Sequence, residues 1–212
     1  MRDRPHGLSR IGITKYRGNY TITMNLNYTQ FFKNLPEIKT SRLILRKLKL
    51  SDAKDMYEYA SDPQVSKYMV WDTHPSINCT KEFLKFVRKT YKSGGAESWA
   101  VTLRDSGKMI GTCGFYRIDG RHRNSEIGYA MNRKYWGQGL MTEAVNAVIE
   151  FGFKKLKLNR VQANCRLENK GSEKVMIKCG MKYEGIMREL VFTKGKFHDL
   201  KVYAVLKKDS RQ

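Results

Sequence analysis

No Cys-x-x-Cys pair and no histidine cluster at metal-ligand spacing occurs in the 212 residues. Cys79, Cys113, Cys165 and Cys179 lie far apart, which argues against a zinc ribbon or a disulfide framework. They read as reduced thiols in a cytoplasmic protein that holds no metal. An unbroken apolar run of membrane-spanning length is missing too. Residues 1–27 alternate basic, polar and isolated apolar positions, so they make neither a signal peptide nor a transmembrane helix, and no membrane partner is expected. Acidic residues are scarce: 20 stand against 41 lysines and arginines, a formal charge of +21 spread along the chain. Such a surface suits an anionic partner, yet the same composition can merely solvate exposed faces.

Repeats, low-complexity tracts and internal linkers are also absent, and 41% hydrophobic content is enough for one sizeable core. Residues 1–38 read as a basic, partly disordered arm, with Met24 a candidate start for a shorter product, and residues 39–212 as the folded domain. Leu43 and Leu45 alternate with charged neighbours, the period of a strand. A helix capped by Ser51 follows and ends at Asp62-Pro63, and a second helix stops at Gly94-Gly95. Strands are expected over Ser98–Leu103, Met109–Arg117 and Ser125–Met131, and then a helix apolar nearly all round over Leu140–Phe153. A short strand Val161–Cys165, a helix Asn169–Cys179 closed by Gly180, and two strands around a Lys194-Gly195 turn complete the order. The total is seven strands and four helices in an α+β arrangement.

One segment carries the chemistry. From Ser125 to Ala144 a strand leads through a loop bearing Gly137 and Gly139 into the buried helix. Glycines there let the backbone approach a ligand, and the free N–H groups and positive dipole end of the helix suit a diphosphate. The dinucleotide pattern G-x-G-x-x-G is excluded, because Thr142 stands three after Gly139, and the Walker pattern is absent.

What remains, Lys134-x-x-Gly137-x-Gly139, resembles the R/Q-x-x-G-x-G/A pyrophosphate motif of GNAT acetyltransferases, with Lys in place of Arg or Gln. Thr40-Ser-Arg-Leu-Ile-Leu-Arg46, Glu126-Ile-Gly-Tyr129, Tyr135-Trp-Gly-Gln-Gly139 with Thr142-Glu-Ala144, Asn169-x-x-Ser172 and Gly180-Met-x-x-Glu-Gly185 are similar, in the same order, to the subfamily of ribosomal-protein (alanine/serine) N-acetyltransferases. The likeness runs from Thr40 to Leu206. It implies the GNAT (acyl-CoA N-acyltransferase) fold, a mixed, mostly antiparallel twisted sheet with a splay between its fourth and fifth strands. It also implies an enzyme that moves an acetyl group from acetyl-CoA, as cosubstrate, to a primary amine by direct attack in a ternary complex. Tyr129, Ala130 and Met131 on the strand, Lys134, Trp136, Gly137, Gln138 and Gly139 in the loop, Leu140, Met141 and Thr142 on the helix, and Asn164, Asn169 and Ser172 beyond it are the residues expected to bind the cofactor.

Each role has a plain alternative. Glu126 is the candidate general base, acting through a water, or else a solvated strand-end carboxylate paired to Arg121 or Arg123. Ser172 either protonates the leaving thiolate or starts a helix, and Asn169 pairs with the pantetheine amides, caps that helix, or does both. Cys165 is read as an inert buried thiol, with no histidine nearby in sequence to activate it.

Three functions compete. The first is acetylation of a protein N-terminus, ribosomal above all, since an α-amine of pKa about 8 needs less help than a lysine of about 10.4. The basic surface would then meet rRNA. The second is acetylation of a small amine such as a polyamine, an aminoglycoside or an amino-acid-like compound. A polycation would be repelled by +21 unless an acidic pocket were built for it. The third, a nucleic-acid-binding module without catalysis, lacks the aromatic-basic signatures of the common RNA folds. Acceptor contacts are expected from loops over Tyr68–Asn78 and Gly114–Asn124, and the chain suits a monomer or a homodimer.

Overall fold

The computed structural model describes residues 26–95 and 98–210. Residues 1–25, most of the expected basic arm and the Met24 start with it, lie outside them. The rest of that arm belongs to the domain. Leu26–Lys33 forms helix α1, and Phe32 and Leu35 are buried in the core, while the Tyr28 hydroxyl donates to the Leu156 carbonyl (2.9 Å). The domain therefore begins before residue 39, because two apolar side chains placed there have a core to enter.

Among the described residues eight strands form one sheet. They are β1 (Ile38–Lys39), β2 (Leu43–Arg46), β3 (Ser98–Leu103), β4 (Met109–Asp119), β5 (Asn124–Met131), β6 (Arg160–Arg166), β7 (Lys182–Thr193) and β8 (Lys196–Leu206), in the order β1-β2-β3-β4-β5-β6-β8-β7. Every neighbouring pair is antiparallel except β5 with β6, which is parallel. The sheet has one strand more than expected, the two-residue β1. β4 also runs on to Asp119, so most of the expected loop from Gly114 is strand.

The helices are α2 (Ala53–Ala60), α3 (Pro63–Ser66), α4 (Ile77–Ser93), α5 (Leu140–Lys154) and α6 (Lys170–Lys178) besides α1. α5 buries Ala144, Val145 and Val148 completely, as its nearly continuous apolar pattern requires. α4 ends at Gly94 and α6 at Gly180, both in the left-handed conformation that glycine adopts without strain. Asp62-Pro63 has a double role. It follows α2, and Asp62 Oδ1 also accepts the Gln64 N–H (2.9 Å) to open α3, with Pro63 in its first turn. Among the described residues no helix is long and apolar enough to cross a membrane.

A single carboxylate ties α5 to the sheet. Glu143, in the first turn of α5, accepts hydrogen bonds from Thr40 Oγ1 (2.6 Å), Ser41 Oγ (2.9 Å), the Arg42 N–H (2.9 Å) and Arg42 Nε (2.7 Å). Arg42 also donates through Nη1 to the Gln138 carbonyl (3.0 Å), so the approach to β2 holds both the glycine loop and the helix start. Burial alone would raise the Glu143 carboxyl, but these donors outweigh it and hold the group down at about 2. With the folded value below the ordinary 4.5, the stabilisation is complete above about pH 4.5 and is lost as pH falls toward 2. Glu143→Gln should therefore cost about 1–3 kcal/mol in urea unfolding at pH 7. It should cost much less at pH 3, where the wild-type carboxylate is losing its own advantage. An equal cost at both pH values would show that charge on Glu143 does not matter.

Candidate active site

The site is made by two strands that part. β5 and β6 are paired only at Asn124 with Arg160, Ser125 with Val161 and Glu126 with Gln162. Beyond Glu126, β5 stays with β4 and β6 stays with β8. The Asn132 N–H donates to the Ile110 carbonyl on the β4 side (2.8 Å), and backbone groups alternate in direction along a strand. The N–H and C=O of Tyr129 and Met131 therefore point into the gap. In agreement, the Met131 carbonyl accepts Trp136 Nε1 (2.9 Å).

A cleft of about 430 Å³ opens there. Of the residues expected from sequence, Tyr129, Ala130, Met131, Trp136, Gly137, Gly139, Leu140, Met141, Thr142, Asn169 and Ser172 line it. Gly137 and Gly139 have φ of +79° and +75°, and a Cβ on Gly137 would meet nothing within 4 Å, so bare backbone faces open space. Asn169 caps α6, its Oδ1 accepting the Ser172 N–H (3.1 Å). The Ser172 hydroxyl lies 2.9 Å from the Tyr129 hydroxyl, joining α6 to β5 across the gap.

Lys134, Gln138, Asn164 and Glu126 are not in that lining. The Lys134 ammonium sits on Glu58 (2.6 Å), and Gln138 donates from Nε2 to the Lys134 carbonyl (3.2 Å). Glu126 is 4% exposed and makes no ion pair with Arg121 or Arg123. Its Oε1 instead accepts from Tyr116 Oη and Asn164 Nδ2. Burial raises the Glu126 carboxyl above its ordinary value, and the amides of Gln162 and Asn164 partly offset this. Such a group is a stronger base than an exposed carboxylate. Asn164 Oδ1 is buried without a partner among the described residues.

Tyr68 and Met69, at the start of a loop expected to meet the acceptor, line the cleft as well. Sequence reasoning missed other parts: Gln64, Val65 and Lys67 line it from α3 and the residue after it, and Glu168, Lys170, Lys174 and Lys178 from the α6 side. The lysine spacing 170, 174, 178 was visible as one face of a helix. The contribution of α3 was not, because it is a one-turn helix brought in by tertiary folding. At the far end, Lys194 in the β7–β8 turn donates to the Ser66 carbonyl (2.6 Å), so the hairpin tip reaches α3.

Cys165, Cys179 and Cys113 are buried, and Cys79 is exposed. Burial pushes the Cys165 thiol up to about 11, Cys179 to about 12 and Cys113 well above its ordinary value.

The chain matches the family model described as Acetyltransferase (GNAT) domain over residues 42–182. It is 38% identical over 173 residues to the N-acetyltransferase YnaD of Bacillus subtilis, covering 81% of this chain and 98% of that one. A crystal structure of a GNAT-family acetyltransferase from Bacillus anthracis superposes with a TM-score of 0.74 at 32% identity, over 82% of this chain and 99% of the other. At 24% identity over 176 residues the chain is similar to the [ribosomal protein uS5]-alanine N-acetyltransferase of Escherichia coli, covering 78% and 89% of the two.

The thiol environments give a direct check. In native protein at pH 8, a disulfide reagent such as Ellman's should react quickly with one thiol per chain, Cys79. The other three should appear only on unfolding. Fast labelling of Cys165 in the native state would reopen a covalent route through it.

Proposed function

This chain belongs to the GNAT acetyltransferase family, and from that premise we propose that it acetylates the N-terminal α-amine of a protein, ribosomal proteins first among them, with Glu126 as general base. The observation that carries the reading is the placement of Glu126. It is a buried carboxyl without an ion pair among the described residues, on the last paired residue before β5 and β6 part.

Acetyl-CoA fits the cleft on three counts. The glycine loop presents open backbone at the start of α5, Lys170, Lys174 and Lys178 suit phosphate groups, and unpaired Tyr129 backbone lies along the gap. Two other acetyltransferases, at 20–22% identity, have solved structures in complex with acetyl-CoA or coenzyme A. Bound there, acetyl-CoA supplies an activated thioester carbonyl. The Tyr129 N–H is the candidate donor to the oxygen on which charge develops, and Glu126, outside the cleft lining, takes the proton of the attacking amine through a water. Asn169 and Ser172 stand at the cleft wall. Ser172 is the candidate proton source for the departing sulfur, with Tyr129 Oη behind it.

Burial raises the Glu126 carboxyl, which strengthens it as a base, and an α-amine of pKa about 8 asks less of any base than a lysine of about 10.4. The similarity to the uS5-alanine enzyme supports the same acceptor class. The cleft lining carries Lys67, Lys170, Lys174 and Lys178 against the carboxylate of Glu168, which disfavours a polycationic small amine.

Ribosomal proteins incubated with enzyme and isotopically labelled acetyl-CoA should gain one acetyl group on an N-terminal peptide in mass spectrometry. Labelling confined to lysine side chains or to added small amines would overturn the acceptor assignment. Glu126→Gln should lower kcat by about ten- to a thousandfold at pH 7 with acetyl-CoA affinity kept, and the loss should shrink above pH 8. Gly137→Val and Gly139→Val should each remove most acetyl-CoA affinity in calorimetry, since a β-branched residue is strained at positive φ and blocks the backbone. Unchanged affinity would locate the phosphates elsewhere.

A further inference from the structure

Tyr116 stands outside every motif in the sequence, yet three independent features aim it at Glu126. The first is a break in register. β4 and β5 pair regularly through Phe115 with Ile127, after which Arg117 pairs with Glu126, leaving Tyr116 as the extra residue of a bulge. Bulges re-aim side chains, and this one turns a phenol across the neighbouring strand. The second is Gly128, opposite the ring. A Cβ there would stand 3.3 and 3.4 Å from Tyr116 Cδ1 and Cε1, so glycine makes the room in which the ring lies over β5. The third is the hydrogen bond itself, from Tyr116 Oη to Glu126 Oε1.

Exposure completes the geometry. Glu126 is 4% exposed and Tyr116 is 51% exposed, so the β4 partner of a buried carboxyl is a residue that faces solvent. The groups packed around that carboxyl are Tyr116 from β4 and the neutral amides of Asn164 and Gln162 from β6. Arg117 is the register partner of Glu126 on β4, and it makes no ion pair with it.

We propose that Tyr116 is the positioning residue of Glu126, fixing the carboxylate by its hydrogen bond and passing the proton that Glu126 collects out to solvent. The proposal rests on the reading of Glu126 as base. As the new nitrogen–carbon bond forms, the thioester carbon–sulfur bond breaks and CoA leaves as its thiolate, which takes a proton at the Ser172 end of the cleft, while the amine N–H bond breaks and its proton goes through a water to Glu126. Once protonated, the carboxyl becomes the donor: the phenol O–H turns from it to water, the carboxyl gives its proton to the Tyr116 oxygen, and the phenol gives its own to water. Carboxylate and neutral phenol are restored, and the net transfer is one proton from amine to water. A donor to the carboxylate also favours the charged form, so Tyr116 keeps the base available at lower pH than burial alone would allow.

The test is the pH profile of kcat/KM for an N-terminal peptide acceptor, run on wild type, Tyr116→Phe, Gly128→Ala and Glu126→Gln. Tyr116→Phe keeps the ring and removes the donor. Its acid limb should move up by about one pH unit, with roughly tenfold lost near pH 6, most activity regained above pH 8, and acetyl-CoA affinity unchanged. Gly128→Ala keeps the phenol but displaces the ring, and its limb should move the same way. A wild-type profile for Tyr116→Phe would overturn the proposal, as would a uniform loss at all pH values, the signature of a packing or acceptor-contact role. If Glu126→Gln retains the wild-type acid limb, the base assignment itself fails and this inference falls with it. If that variant loses the limb while Tyr116→Phe keeps it, only the role of Tyr116 fails.

Discussion

The parallel contact between β5 and β6 lasts for three residues, and the rest of the site depends on its ending there. Had the pairing continued, the N–H and C=O groups of Tyr129 and Met131 would be spent on β6 and no cleft would exist. Because it stops at Glu126, the carboxyl is held between β4 on one side and β6 on the other, while the next residues of the same strand face an opening. Unpaired backbone is costly when buried without partners, so the gap suits an occupant that brings its own amides and carbonyls, or water. Trp136 already uses one of the free acceptors, the Met131 carbonyl, and thereby sets how far along β5 the gap stays open.

A gap in a sheet positions nothing unless its far wall is fixed. Here that wall is the start of α5, and Glu143 fixes it by drawing four donors from Thr40, Ser41 and Arg42. A negative side chain in the first helical turn also complements the helix dipole. The arrangement divides the labour by residue type. Gly137 and Gly139 supply backbone shapes that side chains resist, and the carboxylate next to them restores the rigidity that glycine gives up. Two stretches a hundred residues apart, Thr40–Arg42 and Thr142–Ala144, are thus one structural unit.

That unit explains what was legible in the sequence. Alternating Leu43 and Leu45, the apolar run of α5, the left-handed stops at Gly94 and Gly180 and the two-residue Lys194-Gly195 turn are local patterns, and the structure follows them. Partnerships across the sheet were not legible. Glu126 has Arg121 and Arg123 close in sequence, but its hydrogen bonds come from Tyr116 through a bulge and from Asn164 through parallel register, and neither leaves a local signal. Lys134 fits a loop motif, yet Glu58 on α2 holds its ammonium. Helix α1 was missed because two buried side chains, Phe32 and Leu35, gain more from the core than a short polar segment reveals by periodicity. Asp62-Pro63 was read as a stop alone, although the same pair caps and opens α3.

The two polar centres of the site differ as proton carriers. At the mouth of the gap, Tyr129 Oη bonds both the hydroxyl and the carbonyl of Ser172, joining β5 to α6, and burial pushes the Tyr129 phenol well up from its ordinary value. A phenol so reluctant to ionise is a poor standing acid, but it can support a serine hydroxyl that gives up its proton at the moment a thiolate departs. At the closed end of the gap, on the same strand, Glu126 is a carboxyl made more basic by burial and hydrogen-bonded to a half-exposed tyrosine. In the proposed reaction the first centre releases a proton inside the cleft and the second removes one from the acceptor. Their separation along β5, at residues 126 and 129, lets a single strand serve both without the two groups competing for the same hydrogen bonds.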